Sequence, residues 1–196
     1  MKNLVFKLAV AILCVLVMTG TSVQSARAAS DHDDVVRFTA NASTFNEVLP
    51  KGNAAHGRFV STLSEDGTTL NWTFTWTGLT GPPLFAHIHF AMKGVNGNVM
   101  TFLCGGPAGN PDVPAKPACP QSTSGTITGS TTAADIIALN TPGAANDQAV
   151  PLHDFATFLN AIRHGDGYVN MHTTRFPGGE IRGQLSRGHN DDDDDD

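Results

Sequence analysis

Two histidines stand two positions apart in Leu84-Phe85-Ala86-His87-Ile88-His89-Phe90. Side chains alternate faces along a β-strand, so Leu84, Ala86, Ile88 and Phe90 form one face and His87 and His89 share the other. Imidazoles at i and i+2 have Cβ atoms roughly 6.5–7 Å apart, within reach of one metal ion. A second segment, Tyr168-Val169-Asn170-Met171-His172-Thr173, turns Val169 and Met171 one way and Tyr168, Asn170 and His172 the other. In a third, Gly179-Glu180-Ile181-Arg182-Gly183-Gln184-Leu185, Ile181 and Leu185 point inward and Glu180, Arg182 and Gln184 outward. If the three strands are neighbours, one outward patch gathers His87, His89, His172, Tyr168, Asn170, Glu180 and Arg182.

Three imidazoles from two strands make the nitrogen set that suits zinc or copper. The ligands must be neutral, so binding is expected to weaken as pH falls through the histidine range. Glu180 then becomes a candidate acceptor for the N–H of a metal-bound His172, fixing its tautomer, with Arg182, Tyr168 and Asn170 around it. The alternative needs no metal. Histidines on a sheet face also bond to neighbouring strands, and an exposed Glu180–Arg182 pair would stabilise by only about 0.2–1 kcal/mol. The same residues would then form a patch for an extracellular or periplasmic protein. Motifs of the P-loop, GxSxG or HExxH type do not occur, so hydrolase and nucleotide chemistry lack support. The reading therefore leans against an enzyme.

The elements that must position this patch are mostly short strands. Leu70, Trp72, Phe74 and Trp76 alternate with Asn71, Thr73, Thr75 and Thr77, the pattern of a half-buried strand. Weaker alternation runs through Phe38-Ala40-Ala42, Phe59-Ser61-Leu63 and Val99 to Leu103, with glycine and proline turns between. Helix is expected twice: near 132–139, capped by Thr131 or Thr132, and over 153–164. There Phe155, Phe158, Leu159 and Ile162 share a face and Gly165 provides the stop. The expected fold is all-β with one or two short helices, an antiparallel β-sandwich or Greek-key barrel of immunoglobulin- or superoxide-dismutase-like architecture.

The chain of 196 residues suits one domain of ordinary size. At its start, Lys2 and Lys7 precede the apolar run Leu8 to Met18, and Ala26-Arg27-Ala28 has the form of a cleavage site. Residues 1–28 are read as a signal peptide, too short in its apolar part for the roughly 20 residues of a spanning helix. Export to a secreted or periplasmic location follows, with no membrane attachment after cleavage. Cleavage removes three bases and no acid, so the exported chain is more negative than the formal −6 of the whole. Without a basic stripe, nucleic acid is not an expected partner. Residues 29–36 and the acidic tail 187–196, with Asp191 to Asp196, read as disordered ends. Cys104 and Cys119 flank a proline-rich stretch and are expected to form a disulfide in an oxidising compartment.

Several blocks together resemble the chordin-type (CHRD) domain. They are Phe38-Thr39-Ala40 with Glu47-Val48-Leu49-Pro50, Ala86-His87-Ile88-His89, Gly94-Val95-Asn96-Gly97, Tyr168 to Thr173, and Pro177 to Leu185. The resemblance spans roughly 37–186 and implies a β-rich extracellular module with no agreed biochemical activity. The chain departs from the family pattern at Val48-Leu49-Pro50-Lys51 and in the Cys104–Cys119 loop, both away from the histidines. The His-x-His strand is also similar to that of copper–zinc superoxide dismutases. The zinc loop of that enzyme has no match here, so a copper redox enzyme is only a further alternative. The combined expectation is an exported binding module holding Cu or Zn at His87, His89 and His172.

Overall fold

The computed structural model describes residues 35–107 and 109–188. The segment read as a signal peptide and the aspartate run 191–196 lie outside the described residues. Nine strands occur among the described residues: β1 Arg37–Ser43, β2 His56–Leu63, β3 Leu70–Thr77, β4 Pro83–Phe90, β5 Asn98–Cys104, β6 Gly125–Thr131, β7 Gly167–Thr173, β8 Ile181–Gln184 and β9 Ser186–Arg187. They form one sheet in the order β5-β4-β7-β8-β1-β2-β3-β6, with β9 on β1. The strand pairs are antiparallel. The end strands β5 and β6 come into contact, so the sheet curls into a nearly closed barrel. The all-β expectation holds, in the barrel form.

Alternation decides what fills the barrel. Phe38, Ala40 and Ala42 of β1, Phe59 of β2, and Leu70, Trp72, Phe74 and Trp76 of β3 are buried in one core with Ala86, Ile88, Val169, Met171 and Ile181. Aromatic side chains dominate this core. Phe59 stacks on Trp72 and meets Phe74 edge-on, contacts of the kind that contribute about 0.5–1.5 kcal/mol beyond burial. Helix α1, Phe155–Arg163, adds Phe155, Phe158, Leu159 and Ile162. Asp154 caps it by accepting from Thr157 N, and Gly165 at φ 79° follows its end.

Three details differ from the sequence reading. The helix expected near 132–139 is a single 3-10 turn, Ala133–Asp135, closed by a Thr132–Asp135 capping box. The chain beyond it is extended: Ile137 N donates to Met100 O, and Leu139 bridges Val150. Leu84, expected on the apolar face, is 37% exposed, because the β4–β7 register shifts between Pro83 and Phe85. Arg187, assigned to the tail, pairs with Phe38 as β9, and Val36 O accepts from Leu63 N. Ordered structure thus extends past both expected ends.

Cys104 and Cys119 are disulfide-bonded. The loop between them has further supports. Gly105 N donates to Pro117 O and Lys116 N to Gly106 O, and Lys116 pairs with Asp135 at 2.8 Å. Closure of 15 residues contributes about 3 kcal/mol in the chain-entropy model. The double variant Cys104→Ser/Cys119→Ser should lose roughly that amount in urea unfolding, the usual cost being about 2–5 kcal/mol. An unchanged midpoint would show that the hydrogen bonds and the ion pair alone hold the loop.

Candidate metal centre

Strands β4, β7 and β8 lie side by side, so their outward residues meet in register. His87 is opposite Asn170, His89 opposite Tyr168 and Phe85 opposite His172. On the far side of β7, Asn170 faces Arg182 and Tyr168 faces Gln184. The three histidines converge: their ligand-capable atoms all lie within 4.8 Å of one another. Ring centroids are 4.4 Å apart for His87–His89 and 4.6 Å for His87–His172.

The patch is on the outside of the barrel, yet most of it is buried, with His89 and His172 half-buried. His87 is 3% accessible, Tyr168 2%, Arg182 2% and Glu180 0%. Three connecting segments cover the sheet face and satisfy most of its polar groups. From the segment after β4, Gly97 O accepts from His89 Nδ1 at 2.8 Å, and Gly97 N donates to Tyr168 Oη at 3.4 Å. Arg182 donates to Asn96 Oδ1 and Val95 O. From the β7–β8 connection, Pro177 O accepts from His172 Nδ1 at 2.8 Å. From the segment after β1, Glu47 Oε1 accepts from Asn170 Nδ2.

Aromatic rings pack the remainder. Phe85 lies against both His87 and His172, and Phe102 meets His87 edge-on. Tyr168 stacks on His89 at 4.4 Å and 8°, and the Arg182 guanidinium sits 3.4 Å over the Tyr168 ring. Arg182, Tyr168 and His89 thus form a three-layer stack that fixes the plane of one imidazole.

A carbonyl can only accept, so Nδ1 carries the proton in His89 and His172, and their neutral rings keep a lone pair on Nε2. His172 Nε2 is buried without a hydrogen-bond partner, as is His87 Nδ1. Backbone carbonyls that fix the tautomer this way commonly orient metal-ligating histidines. Burial pulls all three rings below the ordinary histidine value, His89 to about 4 and His87 also well below that ordinary value. Repulsion by the other two imidazoles adds to the burial effect at His87. The set is neutral at pH 7, the state a metal requires.

The residues named around the histidines divide. Tyr168 and Arg182 support His89 directly or through one ring. Asn170 turns to Glu47 and Ile181 O instead. Glu180 is not the acceptor for His172: its carboxylate takes Thr173 Oγ1, Thr80 N and Asn53 Nδ2, and Pro177 O has the His172 proton. The sequence reading missed Phe85, Phe102, Gly97 and Pro177 as parts of the site. Gly97 and Pro177 lie within blocks that it singled out, and Phe85 has the same strand parity as His87. Phe102 carries no local signal.

The CHRD domain model matches residues 38–185. The chain belongs to the CHRD domain family. No curated protein and no solved structure matches it. Within this CHRD domain, β4, β7 and β8, which carry the site, all fall inside the matched span.

Neutral buried histidines make stability pH-dependent with a definite sign. Below the ordinary value of 6.5 the unfolded chain takes up protons that folded His89 refuses until about pH 4. Unfolding is therefore favoured as pH falls through that window. Glu47 acts oppositely: burial raises its carboxyl, so its contribution is lost as pH rises. Metal-free His89→Gln, measured by urea unfolding at pH 7 and pH 5, should lose less stability on acidification than metal-free wild type. An equal loss in both proteins would contradict the buried neutral ring.

Proposed function

We propose that the chain is an exported CHRD-type binding module that holds one copper or zinc ion through His87, His89 and His172. The observation that carries this reading is the pair of buried imidazole nitrogens without partners in a cluster where carbonyls already hold Nδ1 of His89 and of His172. A buried polar atom left unsatisfied costs about 1–3 kcal/mol. An ion bound at those two nitrogens would remove that cost. Donors bound to one tetrahedral ion at about 2.0–2.1 Å would stand about 3.3 Å apart. The rings must therefore rotate slightly inward from their present spread of up to 4.8 Å.

Three neutral nitrogens without a thiolate suit Cu(II) and Zn(II), and the general order of affinities favours copper. The ion would serve sequestration or hold the three covering segments to the sheet. Export rests on the N-terminal sequence, and the Cys104–Cys119 disulfide fits an oxidising compartment. The alternative, a partner-protein patch without metal, gives a different outcome in the same titration. Calorimetry with Cu(II) and Zn(II) should give one site per chain. Loss of an orienting partner costs about 10–100-fold in affinity, so His87→Ala and His172→Ala should each lose at least about 100-fold. Equal binding by wild type and both variants would remove the site.

A further inference from the structure

A cleft of about 640 Å³ opens beside the histidine cluster, between the segment after β4 and the segment around Asn146. Its size lies within the roughly 300–1,000 Å³ of small-molecule sites. Its lining is half apolar: Phe90, Met92 and Val95 form one wall, and Met92 and Val95 are 63% and 47% exposed. Asn98 and Gln148 are consumed internally. Asn98 N donates to Gln148 Oε1, Asn98 Nδ2 to Asn146 O, and Gln148 Nε2 to Phe90 O. These bonds pin one wall to the other and keep the cleft formed.

The polar groups left for a ligand are mainly acceptors. Asp166 and Asp147 are among the lining residues, Asp147 with one carboxylate oxygen already accepting from Ala149 N, and Asn96 keeps its Nδ2 because Arg182 holds its Oδ1. No lysine or arginine is among the lining residues, so an anion finds no counter-charge. The complementary ligand is not an anion: it carries donor groups together with an apolar face, which a neutral polyol supplies over more of the lining than a single ammonium group can. A pyranose ring has this character: its C–H face covers apolar side chains while its hydroxyls donate to carboxylates.

We propose that this cleft binds a neutral sugar unit, held by Asp147 and Asp166 against the Phe90–Met92–Val95 wall, and that Gly97 reports its occupancy to His89. Gly97 belongs to both places. It lines the cleft, its carbonyl holds His89 Nδ1, and its N–H reaches Tyr168. Gly97 packs directly on the end of β4: a Cβ there would lie 1.9 Å from Phe90 O, so only glycine fits. A ligand seated against Val95 to Asn98 therefore touches the residue whose carbonyl orients the imidazole, and its binding changes the surroundings of both. The sugar site does not require the metal, so the two can fail separately.

The test is a set of ¹⁵N-correlated NMR titrations of the full, metal-free chain with glucose, galactose and N-acetylglucosamine, with glucuronate and n-butylamine as contrasts. At least one neutral sugar should saturate with a Kd of about 1–10 mM, the range open to a single small ring. The shifts should centre on residues 90–98 and 145–148 and include the Gly97 amide and the His89 ring. Asp166→Asn and Asp147→Asn, both isosteric, should each weaken that sugar by about fivefold, the worth of one hydrogen bond. Glucuronate should bind more weakly than the best neutral sugar. Absence of saturation by about 50 mM, corresponding to binding weaker than about 2 kcal/mol, overturns the proposal. So do shifts centred elsewhere, tighter binding of butylamine than of any sugar, or variants that bind as wild type does. Sugar binding that leaves Gly97 and His89 unshifted overturns the link between the two sites.

Discussion

A polar sheet face buried beneath backbone is the constraint on which this molecule depends. Strands β4, β7 and β8 present their aliphatic side chains to the barrel interior and their ionisable ones to the other side. That other side is then covered by the chain's own connections. Every hydrogen-bonding group enclosed this way must find a partner or cost about 1–3 kcal/mol. The covering segments meet the demand with main-chain atoms: Gly97 O for His89, Pro177 O for His172 and Val95 O for Arg182. The demand is met incompletely at the imidazoles, where His87 Nδ1 and His172 Nε2 are left without a partner.

The same covering explains the electrostatics. The buried face holds one guanidinium, Arg182, and the Glu47 and Glu180 carboxylates. Arg182 lies over Tyr168 and so stands one ring away from His89, where its charge disfavours protonation of that imidazole. Phe85 and Phe102 exclude water from His87 on its other sides. Position and neutrality therefore come from one arrangement. A glycine is required where Gly179 adopts φ 116°, since a Cβ there would also lie 2.7 Å from Glu47 Oε1.

Much of this was legible in period-two patterning. The faces of β3, the aliphatic side of β7 and the placing of His87 and His89 on one face follow from alternation alone. The meeting of His172 with that pair needed β7 to neighbour β4, which the local pattern does not specify. Burial was not legible. Alternation says which side of a strand a residue occupies, and nothing about a loop that later folds over that side. For this reason Tyr168, Asn170 and Arg182 read as an outer patch and are nearly inaccessible. Glu180 was misplaced for a related reason: it precedes β8, where the turn aims its carboxylate at Thr173, Thr80 and Asn53. The 3-10 turn at Ala133–Asp135 shows the opposite failure, a local helical signal overruled by long-range bridging to Met100 and Val150.

X-ray absorption fine structure of the zinc-loaded full chain asks the central question most directly. The first shell should contain three imidazole nitrogens at about 2.0–2.1 Å, with the outer-ring scattering that histidine produces. That scattering should diminish in His172→Ala. A shell made of oxygen atoms, as the aspartate run Asp191 to Asp196 would supply, or a shell unchanged by that substitution, would contradict it.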